Sequence, residues 1–278
     1  MTRFDLTPQS LVEGLQRRLK KSLGQNFLID ENVTRTIARE VDNFRPLHIL
    51  EIGPGAGALT LALCRLELPI TVLEKDDHCA KYVQNIFGEM PEFCVIHGDA
   101  LNEPLPEFCS QAEARAILVS NLPYNVASQI YFRFIDADLP LVGMVLMFQR
   151  EVAQRFIAKP GSKHYSALSV VGQYYHEIEH VLDVLPESFR PAPKVTSTVL
   201  RFVPRKRELS EADEQRFRRL VHAAFALRRK TLSNSLAGYL GLDKTAWAEK
   251  LSQLGFEPTV RAEALSFRDF IRILNVID

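Results

Sequence analysis

His48-Ile49-Leu50-Glu51-Ile52-Gly53-Pro54-Gly55-Ala56-Gly57-Ala58-Leu59-Thr60 is the stretch on which the fold turns. Residues 48–52 read as a buried strand. Gly53 to Gly57 read as a turn that needs backbone freedom, and Ala58 to Leu63 as the opening of a helix. Strand, glycine turn and helix are the context of a nucleotide-binding loop. About twenty positions on, a second strand, Ile70 to Glu74, ends on a carboxylate, where a ribose hydroxyl pair is bound in such folds.

The glycine spacing is G-x-G-x-G rather than the G-x-G-x-x-G of dinucleotide sites. Glu51 precedes it and would repel a pyrophosphate. S-adenosylmethionine carries no phosphate, so a nearby carboxylate is acceptable. Asp99, after a short strand at Cys94 to His97, can accept from an adenine amino group. Carboxylates at successive strand ends therefore point to S-adenosylmethionine as cofactor.

A further apolar strand, Ala116 to Ser120, runs into Asn121-Leu122-Pro123-Tyr124. An amide, a main-chain carbonyl and an aromatic ring suit a planar exocyclic amine. The Asn121 side-chain oxygen and the Leu122 carbonyl accept the amine hydrogens, and the Tyr124 ring stacks on the base. An ordinary strand-to-turn exit is the alternative reading of the same four residues.

The remaining elements alternate, as in a parallel sheet covered on both faces. A helix at Ala127 to Ile135 and a strand at Val142 to Phe148 are followed by helical periods at Glu151 to Ile157 and Ser166 to Gln173. Strands at Tyr174 to Leu182 and Ser197 to Phe202 flank a proline-rich segment, Pro186 to Lys194, expected to be irregular. Pro204 to Arg207 reads as a linker. Beyond it the periods are helical at Glu211 to Phe225, Arg229 to Leu240, Lys244 to Leu254 and Phe267 to Val276.

The chain has 278 residues, 46% hydrophobic and 24% charged, enough for one large domain and a smaller one. It shows no membrane-length apolar run and no signal-peptide core at its N-terminus, so the cytoplasm is the expected compartment. Cys64, Cys79, Cys94 and Cys109 form no C-x-x-C pair, and neither a disulfide framework nor a zinc knuckle is expected. Cys64 and Cys94 fall on elements expected to be core. Net charge is zero, but cations cluster at Arg17, Arg18, Lys20 and Lys21, at Arg201 and Arg205-Lys206-Arg207, and at Arg228-Arg229-Lys230. Such clusters are the footprint of phosphate contacts or are solvated faces. His176-Glu177-Ile178-Glu179-His180 spells a zinc-protease signature, but its flanks suit a strand. There the two imidazoles stand about 13 Å apart, too far for one metal.

Gly24 to Leu28, Glu51 to Gly57, Asn121 to Tyr124, Gln149 to Ala153, Tyr165 to Ser169 and Phe189 to Val195 together resemble the ribosomal RNA adenine dimethyltransferase family, in family order, over roughly residues 17–275. The chain is more similar to the branch acting on small-subunit 16S rRNA. The 23S rRNA branch fits less well at Gln149 to Ala153 and Phe225 to Leu232. Departures are an extension before Arg17 and Leu23 where an aromatic is common. The resemblance implies a seven-stranded Rossmann-like methyltransferase sheet with a small all-helical C-terminal domain. The expected division is an N-terminal extension over 1–22, a methyltransferase domain over 23–204 and a helical RNA-docking domain over 205–278. It implies Asn26 and Leu28 as further cofactor contacts beside Gly53, Gly55, Glu74, Asp99 and Asn121. The target site would be Asn121, Leu122, Pro123 and Tyr124, with Phe189 either a second stacking face or simply core. Arg205, Lys206, Arg207, Arg228, Arg229 and Lys230 are the expected RNA contacts, the last three at the start of a helix. The reaction implied is dimethylation of the N6 amines of two adjacent adenines in a hairpin near the 3′ end of 16S rRNA. It would take place in the small subunit or its precursor, with no metal and as a monomer. A small-molecule methyltransferase would have little use for the basic C-terminal segments, and a non-catalytic assembly factor would not need Asn121 to Tyr124.

Overall fold

The computed structural model describes residues 6–15 and 25–277. The basic knot Arg17 to Lys21, and Gly24, lie outside them. In chain order the elements are α1 (Pro8–Gly14), β1 (Phe27–Leu28), α2 (Glu31–Asp42), β2 (His48–Ile52), α3 (Ala58–Leu63), β3 (Ile70–Glu74), α4 (Asp77–Phe87), β4 (Phe93–His97), β5 (Ala116–Asn121) and α5 (Ala127–Asp136). Then come β6 (Gly143–Gln149), α6 (Arg150–Ile157), α7 (Ala167–Tyr175), β7 (His176–Val184), β8 (Phe189–Arg190), β9 (Ser197–Pro204), α8 (Glu211–Phe225), α9 (Leu232–Ser235), α10 (Lys244–Gln253) and α11 (Phe267–Leu274).

Seven strands form one sheet in the order β4-β3-β2-β5-β6-β9-β7. β2 pairs in parallel with β3 on one side and β5 on the other, and β9 runs antiparallel to β6. The chain therefore winds outward from β2 in both directions. The loops after β2 and β5 part there and open a crevice at the carboxyl ends of the strands, where ligands of such sheets bind. β2, β3, β5 and β6 are buried almost throughout, as expected of central strands covered on both faces.

Local chemistry starts the helices where the strands release the chain. Asp30 caps α2 by accepting from Asn32 and Val33, and Val33, Ile37 and Val41 bury one face of that helix. Asp76 caps α4 in the same way. α3 instead begins at Gly57, whose φ of +85° suits glycine and where a Cβ would stand 2.7 Å from the Phe87 ring. The α1 helix, absent from the sequence reading, buries Leu11, and the Tyr82 hydroxyl donates to the Leu11 carbonyl at 2.9 Å.

The chain divides into two compact units. One comprises Met1–Ala153 with Glu179–Pro204, the other Gln154–Ile178 with Arg205–Asp278. The second unit resumes at Arg205, and Gln154–Ile178, expected within the methyltransferase domain, clusters with it. The core of this second unit includes Tyr174, Phe217, Phe270 and Trp247. Glu214, buried there, accepts from the Tyr174 and Tyr175 hydroxyls and from Arg207. The zero net charge of the chain conceals a division between the units. The first holds 17 Lys and Arg against 23 Asp and Glu, a net of −6, and the second holds 17 against 11, a net of +6.

Several expectations are corrected. The helix expected over Arg229 to Leu240 is only α9, because Gly238, Leu240 and Gly241 all take positive φ and break the α-helical path. Arg228, Arg229 and Lys230 therefore lie in a turn before α9, not at a helix start. Tyr174 and Tyr175 end α7 instead of opening β7. The His176 to His180 run is in β7, so the zinc signature is a strand. Within the proline-rich segment, β8 pairs antiparallel with β1, Leu28 opposite Phe189. Cys94 is exposed and Cys64 only half-buried. Cys94 lies on β4, an end strand of the sheet that is far less buried than its central neighbours.

Candidate active site

The loops at the carboxyl ends of β2, β3, β4 and β5 line one cavity, wholly within the sheet unit. Asn26, Leu28, Gly53, Gly55, Glu74, Asp99, Asn121, Leu122, Pro123 and Tyr124 all line it, so ten of the expected site residues converge there. Phe189 does not line it. Its pairing with β1 turns it into the core, where it is 3% exposed, and it packs in the same apolar cluster as Phe27 and Leu28.

Glu74 organises the cavity floor. Its carboxylate accepts from the Gly55 N–H at 3.0 Å and the Asp76 N–H at 2.7 Å, tying the glycine loop to the turn after β3. Burial raises its pKa, and the two N–H groups oppose that rise. Gly53 adopts a φ of +67° with no heavy atom within 4 Å of where a Cβ would stand, so a ligand can approach its backbone. Phe27 closes against Gly55, 2.8 Å from the position of a Cβ. Asp99 accepts from the Leu101 N–H through Oδ1 and from Lys75 through Oδ2, at 3.0 and 2.6 Å. The Lys75 ammonium, first, and the Leu101 N–H hold its carboxyl below the usual range.

Glu51 is 1% exposed and accepts a 2.7 Å hydrogen bond from Thr60. Burial pushes its pKa up to about 8, and the nearby Glu74 charge adds to the rise. Glu51 is therefore largely protonated at neutral pH. The expectation that its charge repels a pyrophosphate is corrected, because a neutral carboxyl repels nothing.

β5 carries the residues expected to form the target side. The Ser120 hydroxyl donates to the Ile52 carbonyl at 2.6 Å, locking β5 to the glycine loop. The Asn121 amide donates through Nδ2 to the Asn26 carbonyl at 3.3 Å, which leaves Oδ1 as its acceptor. Tyr124 shares a 2.6 Å hydrogen bond with Ser197, which fixes its ring, and burial raises its pKa. Sequence reasoning missed Lys75, Thr60, Phe27 and Ser197. Lys75 directly follows Glu74 and was open to inspection, but nothing local in the sequence marks Ser197 as a partner of a tyrosine 73 positions away.

The expected RNA contacts separate into two sets. Arg207 pairs with Glu214 at 2.9 Å and lies over the Tyr175 ring. Arg228 pairs with Glu263 and donates to the Lys163 carbonyl. Both are exposed but paired within their own unit. Lys206, Arg229 and Lys230 are exposed, as is Arg205, whose charge acts on the buried His176.

A buried carboxylate at the end of β3, a half-exposed one after β4 and an open glycine backbone after β2 fit S-adenosylmethionine. Fold and cavity define the class, an S-adenosylmethionine-dependent methyltransferase. The family model for ribosomal RNA adenine dimethylase matches residues 16–278, and the chain belongs to that family. A ribosomal RNA small subunit methyltransferase A from Geobacter metallireducens is 41% identical over 91% of this chain and 93% of its own. In fold, the chain is similar to a dimethyladenosine transferase from Plasmodium falciparum, with a TM-score of 0.74, 23% identity, and 88% and 95% of the two chains covered. A 23S rRNA methyltransferase, ErmE, is similar with a TM-score of 0.69, 24% identity, and 90% and 98% covered. The chain is thus an enzyme that uses S-adenosylmethionine to dimethylate adenine in rRNA.

Between the ordinary carboxyl pKa near 4.5 and about 8, folded Glu51 keeps a proton that the unfolded chain has lost. Its contribution to stability is therefore fully present below 4.5 and falls away as pH rises to about 8. In Glu51→Gln that loss disappears, so urea midpoints measured from pH 5 to pH 8 decline less steeply than in the wild type. Parallel profiles would show that Glu51 does not hold the proton.

Proposed function

We propose that the chain dimethylates the N6 amines of two adjacent adenines in a hairpin near the 3′ end of 16S rRNA. The substrate would be the small subunit or its precursor, the enzyme a monomer and the compartment the cytoplasm. The naming of the small-subunit relatives supports the choice of rRNA. The observation that carries the chemistry is the pinned Asn121 amide, which lines the same cavity as Glu74 and Asp99.

The amine lone pair of adenine is delocalised into the ring, so the amine is a poor nucleophile. Asn121 Oδ1 and the Leu122 carbonyl accept its hydrogens, favour a more tetrahedral nitrogen and aim the lone pair along one line. When bound, S-adenosylmethionine supplies the electrophilic methyl at the end of that line. Pro123 stiffens the turn that carries the Leu122 carbonyl, and Tyr124 offers a ring face worth about 1 to 3 kcal/mol of stacking to an unstacked base. Catalysis is chiefly orientation and preorganised polarity. All six expected RNA contacts are exposed; Arg205, Lys206, Arg229 and Lys230, which are not in the ion pairs of Arg207 and Arg228, are those we assign to phosphate.

Asn121→Ala is expected to lower methyl transfer to unmodified small subunits by about 10² to 10³-fold, as for loss of one preorganised polar contact, with subunit binding retained. Tritium transfer from labelled cofactor measures this, and near-normal turnover removes Asn121 from the chemistry.

Neutralising Arg205, Lys206, Arg229 and Lys230 is expected to weaken subunit binding and flatten its salt dependence by roughly one unit of slope per lost phosphate contact. Cofactor affinity should stay unchanged. Filter binding from 50 to 300 mM salt reads the slope, and an unaltered slope assigns these side chains to solvent.

A further inference from the structure

β3 and β4 lie side by side in parallel, with Glu74 opposite His97. The residues that leave the two strands, Lys75 and then Gly98-Asp99, therefore emerge together on one wall of the cavity. There Lys75 Nζ meets Asp99 Oδ2 at 2.6 Å, and both residues line the cavity. The other Asp99 oxygen is held by the Leu101 N–H at 3.0 Å, and Asn102 Nδ2 approaches Oδ2 at 3.4 Å.

As a device for stability this pair is weak. The side chains are 57% and 25% exposed, and exposed ion pairs contribute little. Its place matters more than its strength in the open site. An adenine ring seated on this wall takes water from Asp99, and a carboxylate stripped of water with no counter-charge is costly to cover. An ammonium already in contact supplies that counter-charge, and its attraction grows as the local dielectric falls. Asp99 also needs a fixed orientation, because the adenine amine offers its hydrogens in one plane.

We propose that Lys75 is a positioning residue for cofactor recognition, bracing the Asp99 carboxylate so that a remaining lone pair faces the adenine amine and compensating its charge when the base covers it. The inference rests on Asp99 as the adenine acceptor and extends that reading to a residue outside the strand-end carboxylates. Lys75 itself need not touch the base. The lowered pKa of Asp99, of which Lys75 is the first cause, agrees with the geometry. Of the other charged groups near Asp99, Arg133 acts in the same direction from α5.

Calorimetry with S-adenosylmethionine and S-adenosylhomocysteine tests this on the full chain in Lys75→Met, Lys75→Arg, Asp99→Asn and the Lys75→Met/Asp99→Asn double variant. Both ligands carry the same adenine, so Lys75→Met is expected to weaken both by the same factor, about five- to tenfold. Lys75→Arg should restore most of the affinity. In the Asp99→Asn background, Lys75→Met should change nothing further, the signature of one coupled unit. Additive losses would mean that Lys75 acts independently of Asp99 and would overturn the proposal. So would tighter binding of S-adenosylmethionine alone, the result if Lys75 merely repels its positive charge. Unchanged affinity in Asp99→Asn would instead defeat the assignment of Asp99 to adenine, and the Lys75 proposal with it. Weakening in Asp99→Asn but not in Lys75→Met would defeat Lys75 alone.

Discussion

The Glu74 carboxylate, accepting from Gly55 and Asp76, is the contact on which the site depends. β2 and β3 bring the glycine loop and the α4 cap to the same place, and one buried acceptor holds both. The desolvation of that carboxylate is partly offset by two main-chain N–H groups, so the site rests on backbone geometry more than on side-chain reach. Through Asp76, which caps α4, the same contact reaches the helix that follows. Through Gly55 it reaches Phe27, which shares β1 with Leu28 and directly follows Asn26.

From that point the target side follows by short links. Asn26 receives the Asn121 amide, and Ser120 ties β5 to Ile52. The wall proposed for the cofactor and the acceptors proposed for the adenine amine are thus parts of one frame at the ends of adjacent parallel strands. A preorganised frame of this kind suits a reaction whose difficulty lies in aiming a reluctant lone pair.

Where the sequence was legible, local and tertiary preferences agree. β2 and β3 were readable to the residue, because each is a five-residue, largely apolar run with β-branched residues, too short for a buried helix and bounded by glycine or a carboxylate. α8 was equally plain between its Ser210 cap and the turn after Phe225. The helix expected over Arg229 to Leu240 failed because its apolar spacing was read through Gly238, where a positive φ, repeated at Leu240, breaks the helical path. Phe189 could not be placed because its burial comes from a two-residue pairing with β1, 161 positions away between Leu28 and Phe189, and no local period records that. Asn26 and Leu28 were reached only through resemblance to a family, for the same reason. Arg207 and Arg228 read as bare cations in the sequence, because charge is visible there and ion-pair partners such as Glu214 and Glu263 are not. The opposite charges of the two units stayed hidden behind a zero sum until the units were known.

The most direct test of this frame is the affinity of Glu74→Ala for S-adenosylmethionine, measured by calorimetry on protein whose circular dichroism matches the wild type. Loss of the central acceptor should weaken binding by about 1 to 3 kcal/mol, the range for leaving a buried polar group without its partner. Affinity equal to that of the wild type, in a folded variant, would contradict the placement of the cofactor at the ends of β2 and β3.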